Sequence, residues 1–230
     1  MDAPLPPRAQ VGLGWTPFLP ERPSLSDELV FARRVYPLPE KTAADFIKRM
    51  GLVESWHGGE HTVYLTKSHP DYVFKMSDQG SGAGFILMSS TKGDELGLTR
   101  STLRRYIQRM ELTNQYFEDD MKVLGVVFDE GDYQQKLVHQ QKYRGEQAST
   151  YEEIAAAMKK AGFRRLKDAN ITNPMLVGST YYHPKHNILV GDCHPRNFRT
   201  IEGDAVPIDI IIAEPEGNLC KFAKANVARS

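Results

Sequence analysis

The chain has 230 residues, 40% of them apolar, and its 29 basic and 29 acidic side chains leave no net charge. This length allows one substantial domain or two small lobes. Balanced charge argues against bulk nucleic-acid binding, which needs a basic excess or a strongly basic face. Because no apolar run reaches the ~20 residues of a membrane span and the start lacks a secretory pattern, we expect a cytoplasmic protein. The two cysteines, Cys193 and Cys220, suit a reducing compartment and exclude a disulfide framework.

The first part of the chain is rich in proline. Residues 1–23 contain six prolines, which prevent regular helix and predict an extended arm. A short helix is predicted over Ser24–Tyr36. A second helix is predicted to begin after Thr42, a capping residue, and to end at Gly51.

From Leu52 the pattern changes to strands. Three short runs predict an antiparallel meander over Leu52–Trp56, Thr62–Leu65 and Tyr72–Met76, with a glycine turn between the first two. The glycine-rich stretch Gly80–Gly84 predicts a loop, and Phe85–Met88 fits either a strand or a buried turn.

The second half alternates helices with short strands. Apolar spacings of three and four predict a helix over Ser101–Phe117, and a capped helix is predicted over Ser149–Ala161. Between them, Val123–Asp129 and Lys136–Gln141 bring the predicted sheet to five strands. Further short strands are predicted at Tyr181–Tyr182, Ile188–Val190, Phe198–Ile201 and Val206–Ile212.

Three polar residues near the C-terminal end indicate chemistry. Asp192 and Asn197 lie five positions apart in a loop that contains Pro195, and a hairpin later Asp209 stands within an apolar run. An acid among isoleucines is costly unless a cation compensates it. Mg²⁺ is the natural candidate, because it prefers a few hard oxygen ligands. Turn-forming residues also occur for local reasons, but turn chemistry does not explain the position of Asp209.

The segment Gly191-Asp-Cys-His-Pro-Arg-Asn197 resembles the Gly-Asp-x-His-Pro-x-Asn loop of protein-kinase-like phosphotransferases. The resemblance is to the branch that includes aminoglycoside kinases, choline kinases and the kinase domains of bacterial and phage polyvalent proteins. It implies that Asp192 acts on the acceptor hydroxyl and that Asn197 and Asp209 bind Mg²⁺. It also implies an α+β, two-lobe fold with a five-stranded antiparallel N-lobe sheet and a minimal C-lobe.

The same resemblance assigns ATP contacts in the first half of the chain. Such enzymes carry a glycine turn between their first two strands and a lysine on the third strand that contacts the phosphates. Gly58, Gly59 and Lys75 stand in that order here. We expect these residues to bind the phosphates of ATP.

A carboxylate on the next helix is the usual partner of that lysine. Glu111 is the expected residue, and Glu95 is the alternative if the helix begins earlier. Gln141 and Tyr143 would then lie where adenine meets the chain after the fifth strand.

The resemblance divides the chain into an arm (1–23), an N-lobe with preceding helices (24–143) and a truncated C-lobe (144–230). Two functions remain open. One is an ATP- and Mg²⁺-dependent transfer of the γ-phosphoryl group to a hydroxyl acceptor of unresolved identity. The other is a pseudokinase that binds a nucleotide or a partner without turnover, which the incomplete glycine turn and the 21 residues after Asp209 favour.

A competing motif is His57-Gly-Gly-Glu-His61, which fits the letters of an inverted zinc peptidase. That chemistry requires a helix, so that both imidazoles meet one zinc ion. Two adjacent glycines and a following strand pattern argue against a helix.

His194 and Cys193 are expected to be structural residues of the Asp192 loop.

Overall fold

The computed structural model describes residues 33–77, 84–128 and 135–228, which form a mixed α+β protein. The predicted arm, most of the predicted helix Ser24–Tyr36 and positions 80–83 of the predicted loop lie outside these residues. Of the described part of that helix, residues 33–35 are helical and Tyr36 lies in a bend.

The elements in chain order are α1 (Ala43–Met50), β1 (Val53–His57), β2 (His61–Leu65), β3 (Tyr72–Ser77), β4 (Phe85–Ser89), β5 (Leu96–Arg100), α2 (Leu103–Phe117), β6 (Lys122–Phe128), β7 (Gln135–Lys142), α3 (Tyr151–Lys160), β8 (Arg164–Arg165), β9 (Tyr181–His183), β10 (Ile188–Gly191), β11 (Phe198–Ile201), β12 (Asp204–Pro207), β13 (Ile211–Ala213) and α4 (Gly217–Asn226). Two single-turn 3₁₀ helices lie at Asp168–Asn170 and Pro195–Asn197.

The chain divides into two units. Of the described residues, the first unit contains those up to Gly84 and those between Arg100 and Tyr143, and the second contains Phe85–Thr99 and those from Arg144 onward. The sequence assigned Phe85–Thr99 to the first lobe. In the structure its apolar side chains Phe85, Leu87, Leu96 and Leu98 belong to the core of the second unit.

The first unit is built on the predicted five-stranded antiparallel sheet. Its strand order is β1-β2-β3-β7-β6, and every neighbouring pair is antiparallel. In this register Lys75 of β3 lies opposite Val63 of β2 and His139 of β7.

Both faces of this sheet are covered by helices. Because side chains alternate along a strand, Phe74 and Met76 share one face and pack with Phe46 of α1. On the other face Leu137 and Val126 pack with α2 through its apolar stripe, which consists of Leu103, Tyr106, Ile107 and Met110. The long helix predicted from spacings of three and four is therefore confirmed, and its stripe is the face that the sheet buries.

Local capping signals hold α1 where the sequence predicted it. The Thr42 hydroxyl accepts a hydrogen bond from the Asp45 amide at 3.1 Å. Gly51 adopts a left-handed conformation (φ +59°), and its amide donates to the carbonyls of Ile47 and Lys48.

The second unit contains a four-stranded sheet in the order β13-β10-β9-β8, with antiparallel neighbours. Its core is apolar and includes Leu96, Leu166, Leu176, Tyr182, Leu189, Ile211 and Phe222. Strands β4 and β5 pair with each other, so Phe85–Met88 is strand rather than a buried turn.

The prediction of one continuous strand over Val206–Ile212 was wrong. β12 ends at Pro207 and pairs with β11, whereas β13 begins at Ile211 and pairs with β10. The chain bends between them because it passes from one sheet to another, and this places Asp209 in the bend. Within the described ranges, no helix combines the length and apolar character needed to cross a membrane.

Candidate functional site

The Asp192 loop follows a fully buried strand of the second unit. β10 is paired on both sides and ends at Gly191. A Cβ atom at Gly191 would lie 2.8 Å from a methyl carbon of Leu87 and 2.8 Å from one of Leu176. An added methyl group would force both buried leucine side chains to shift, so the start of the loop is closely packed.

Asp192 adopts a left-handed backbone conformation, with φ +62°, and is 8% exposed. Residues other than glycine rarely adopt this conformation, although aspartate tolerates it better than most. One of its carboxylate oxygens, Oδ2, is held by a hydrogen bond, and no hydrogen bond from the described residues reaches the other, Oδ1. Oδ2 accepts a hydrogen bond from Asn197 Nδ2 at 2.8 Å, and His194 Nε2 lies 3.0 Å from Oδ1.

The side chain of Asn197 closes the loop. Its Nδ2 donates to the Asp192 carbonyl oxygen at 3.0 Å as well as to the Asp192 carboxylate, and it lies 3.3 Å from His194 Nε2. Asn197 Oδ1 takes no part in these contacts. The amide nitrogen thus orients Asp192, while the oxygen is the atom of Asn197 with the chemistry of a metal ligand.

Asp209 is joined to the same loop through the main chain. The Asn197 carbonyl accepts hydrogen bonds from the amides of Ile208 at 2.8 Å and Asp209 at 3.4 Å. The β11–β12 hairpin makes this possible, because it pairs Phe198 with Pro207 and so returns the chain to Asn197. The structure therefore brings Asp192, Asn197 and Asp209 together within one unit.

Cys193 has a small buried side chain in this loop, which agrees with the expectation from the sequence. It is buried, and burial together with the negative charge of Asp192 raises the pKa of its thiol well above 9.0. Its amide donates to the Ser179 carbonyl at 2.9 Å. A thiol that stays protonated at neutral pH is a poor nucleophile.

Of the residues expected to contact phosphates, Lys75 lies on β3 and is 5% exposed. Gly58 and Gly59 form the turn between β1 and β2, and the Gly58 amide donates to the His61 carbonyl at 2.9 Å. These residues all belong to the first unit. Its strand order places a glycine turn one strand away from a buried lysine.

Glu111 lies on α2 but is exposed. Burial, followed by the negative charge of Glu111, raises the pKa of Tyr36, and partial desolvation raises the pKa of Glu111 itself. An exposed position does not support the expected ion pair with the buried Lys75. Glu95 is not on this helix, because α2 begins at Leu103.

Gln141 and Tyr143 lie at the end of β7 and just after it. The side-chain amide of Gln141 donates to the Asp119 carboxylate at 2.5 Å, and the Tyr143 amide donates to the Asp71 carbonyl at 2.8 Å. Gln141 Oε1 is buried, and no donor among the described residues reaches it. Gln141 therefore presents a buried acceptor near the position expected for adenine.

The sequence missed a buried polar cluster in the first unit. Arg109 of α2 forms an ion pair with Glu60 of the glycine turn, with Nη1 2.8 Å from Oε2. Next to it, the Tyr106 hydroxyl lies 2.8 Å from His61 Nε2, and the His61 ring lies 5.2 Å from that of His139. One signal was present in the sequence. Arg109 directly precedes Met110 and follows Tyr106 by three, so it borders the apolar stripe, where a charge requires a partner.

His61 is neutral in this cluster. Complete burial, followed by the positive charges of Lys75 and Arg109, lowers its pKa well below 6.5. A protonated imidazole would be a further buried positive charge beside Lys75 and Arg109, and Arg109 is already paired with Glu60. His61 therefore serves as a hydrogen-bond partner of Tyr106.

The zinc-peptidase alternative does not fit the fold. His57 lies on β1 and His61 on β2, with the glycine turn between them, so the motif is a hairpin and not a helix. His57 Nδ1 instead lies 3.0 Å from the Thr62 hydroxyl.

Comparisons with models of protein families, with curated proteins and with solved structures found no match to this chain. Function must therefore be argued from the residues themselves.

Proposed function

We propose that this protein is an ATP- and Mg²⁺-dependent phosphotransferase with a protein-kinase-like, two-lobe fold, and that it moves the γ-phosphoryl group to a hydroxyl acceptor. One observation carries the proposal. Asn197 orients the carboxylate of Asp192 through its side chain and holds the Asp209 amide through its carbonyl. The turn-forming tendencies of Asp, Asn and Pro do not require a second acid beside this loop. Asp209 nevertheless lies there, although a hairpin separates it from Asn197 in the sequence.

In this proposal the second unit supplies the chemistry. Asp192, held in one orientation, accepts a hydrogen bond from the acceptor hydroxyl and receives its proton as transfer proceeds. Asn197 Oδ1 and the Asp209 carboxylate are hard oxygen donors, which fits Mg²⁺. Bound Mg²⁺ would neutralise charge on the phosphates. Catalysis rests on positioning and on charge compensation rather than on a covalent intermediate.

The first unit would hold the nucleotide. Gly58 and Gly59 would let the turn approach the phosphates, and Lys75 would contribute a positive charge to them. The buried Gln141 Oε1 supports this assignment, because an unsatisfied buried acceptor is costly and the amino group of adenine is a donor that would satisfy it.

A second candidate is a pseudokinase that binds a nucleotide or a partner without turnover. It is favoured by the exposure of Glu111, which leaves the expected carboxylate partner of Lys75 out of place. The Tyr143 amide, expected near adenine, already donates to the Asp71 carbonyl, which favours the form of this candidate that binds a partner.

Nucleotide binding is tested by thermal unfolding of the full chain with ATP and Mg²⁺. We expect Mg²⁺-dependent stabilisation by ATP in the parent, and its loss in Asp209→Asn. The matched control is Asp204→Asn, which removes an exposed acid from the preceding hairpin and should respond to ATP like the parent. Absence of ATP binding at every Mg²⁺ concentration would overturn the phosphotransferase. It would also overturn a pseudokinase that binds a nucleotide.

Turnover separates the enzyme from the binding module. We expect the parent to release ADP. We expect Asp192→Asn to bind ATP but to turn it over at least about 100-fold more slowly. ATP binding with no turnover, in the presence of a panel of hydroxyl acceptors, would favour the pseudokinase. Equal rates in the parent and in Asp192→Asn would remove Asp192 from the catalytic role.

A further inference from the structure

The β1–β2 turn is fastened to α2 by a buried ion pair. Arg109 Nη1 lies 2.8 Å and 3.1 Å from the two carboxylate oxygens of Glu60, and the two side chains are 6% and 12% exposed. A buried charge that loses its partner is strongly destabilising. Because separation of the two elements would separate the charges, such a pair keeps the elements together. Here the elements are the glycine turn and the helix.

The carboxylate of Glu60 is enclosed on a second side by Gly84. A Cβ atom at Gly84 would lie 2.8 Å from Glu60 Oε2 and 3.0 Å from a ring carbon of Tyr106. The backbone there is also left-handed, with φ +94°. Glycine therefore allows the chain to approach the ion pair closely.

The residue after Glu60 is joined to the same helix. The His61 imidazole contacts the Tyr106 hydroxyl at 2.8 Å, and the Arg109 guanidinium lies over the Tyr106 ring, 5.5 Å from its centre. The turn is thus connected to α2 through two successive residues. Both connections are made by neighbouring positions on one face of the helix.

This arrangement reverses the polarity expected for the helix. The sequence placed a carboxylate, Glu111, on α2 and a cation, Lys75, on the sheet. Instead α2 contributes a buried cation, Arg109, and the turn contributes the carboxylate. The charges of Lys75 and Arg109 both act on His61, so the two cations border the same cluster.

We propose that Glu60 and Arg109 are a positioning pair through which α2 holds the glycine turn, Gly58 and Gly59, in place for the phosphates of ATP. This inference rests on the proposed phosphotransferase function. Glu60 and Arg109 are positioning residues and take no part in the transfer itself. Loss of the pair weakens ATP binding and leaves the rate of transfer from bound ATP nearly unchanged.

Steady-state kinetics and hydrogen exchange test the pair together. In Arg109→Met and in Glu60→Gln we expect the KM for ATP to rise about tenfold and kcat to stay within about twofold of the parent. Backbone amides of the turn, residues 57–61, should exchange faster in both variants. Arg105→Met is the matched control, because Arg105 is an exposed arginine on the same helix, and it should keep the parent's KM and exchange.

Two further variants keep the test informative if a single substitution prevents folding. Glu60→Gln/Arg109→Gln replaces the charges by a neutral pair that can still form hydrogen bonds, and Arg109→Lys retains the cation. We expect an intermediate KM in Arg109→Lys and a KM like that of the single variants in the neutral pair.

The outcomes separate this inference from the proposed function. A parent that binds ATP, with variants whose KM and turn exchange match the parent's, would overturn the positioning role alone. An equal fall in kcat with unchanged KM would also overturn it. A parent that does not bind ATP would overturn the proposed function, and with it the nucleotide role of the pair.

Discussion

The side-chain amide of Asn197 donates to both the carboxylate and the carbonyl oxygen of Asp192, at 2.8 and 3.0 Å. Asn197→Asp would replace this donor by a second carboxylate next to the first. We expect the free energy of unfolding to fall by about 1–3 kcal/mol, because two hydrogen bonds are lost and like charges are brought together. Urea-induced unfolding measures this change.

A suitable comparison for that substitution is Asn218→Asp. The Asn218 side-chain amide donates a hydrogen bond to the Thr91 carbonyl at 2.7 Å. We expect Asn218→Asp to lower the free energy of unfolding less than Asn197→Asp does. Equal losses at the two positions would contradict a special role for the contact between Asn197 and Asp192.

Gly191→Ala should destabilise the second unit. The new methyl group would lie 2.8 Å from carbons of Leu87 and Leu176, and overpacking of this kind costs about 1–3 kcal/mol. Thermal unfolding followed by circular dichroism detects the loss. Gly59→Ala is the control for stability, because a Cβ atom there meets nothing within 4 Å. If both variants melt at the parent's temperature, the side chains around Gly191 accommodate an added methyl group without loss of stability.

Stability should fall as the pH is lowered from 7.5 to 5.5. Burial and the charges of Lys75 and Arg109 lower the pKa of His61 below 6.5, so in this range the unfolded chain binds a proton that the folded chain does not. The free energy of unfolding therefore decreases by at most about 1.4 kcal/mol per pH unit from this group. Burial also lowers the pKa of His183, which adds a change of the same sign.

The contribution of His61 can be isolated with His61→Gln, which retains a side-chain nitrogen for the Tyr106 hydroxyl. Urea unfolding at several pH values should show a shallower pH dependence than in the parent. His69→Gln, a substitution of an exposed histidine, should keep the parent's dependence. An unchanged slope in His61→Gln would mean that His61 titrates alike in both states.

The two cysteines should differ in reactivity. Cys193 is buried and the pKa of its thiol is raised well above 9.0, whereas Cys220 is partly exposed. At pH 8 a thiol reagent should modify Cys220 quickly and Cys193 at least about 100-fold more slowly. Counting modified thiols by mass spectrometry over time checks this. Cys220→Ser should remove the fast phase, and a fast phase that survives would place Cys193 within reach of the reagent.

Several parts of the structure follow from local signals in the sequence. Thr42 and Gly51 bound α1 because capping and a left-handed glycine act within one turn of helix. The spacing of Leu103, Tyr106 and Met110 predicted α2 and its buried face for the same reason. The five strands of the first unit were likewise readable from short runs of residues.

Other features depend on residues that are distant in the chain. The bend at Asp209 exists because β12 and β13 pair with different partners, which no local pattern records. Phe85–Thr99 joins the second unit because its apolar side chains meet Leu176 and Leu189. Glu111 and Arg109 are two positions apart on one helix, and only the packing of α2 on the sheet buries Arg109 and exposes Glu111.

By itself, the sequence determined the α+β class, the five-stranded sheet, the principal helices and the loop from Gly191 to Asn197. These depend on periodicity, caps and turn residues, whose energies act over a few positions. Only the tertiary structure decided how Asn197 orients Asp192, how the chain returns Asp209 to that loop, and which charges are buried around Glu60 and Arg109. The balanced charge of the whole chain concealed this last arrangement, because desolvation acts on each buried group separately and selects partners by position in space.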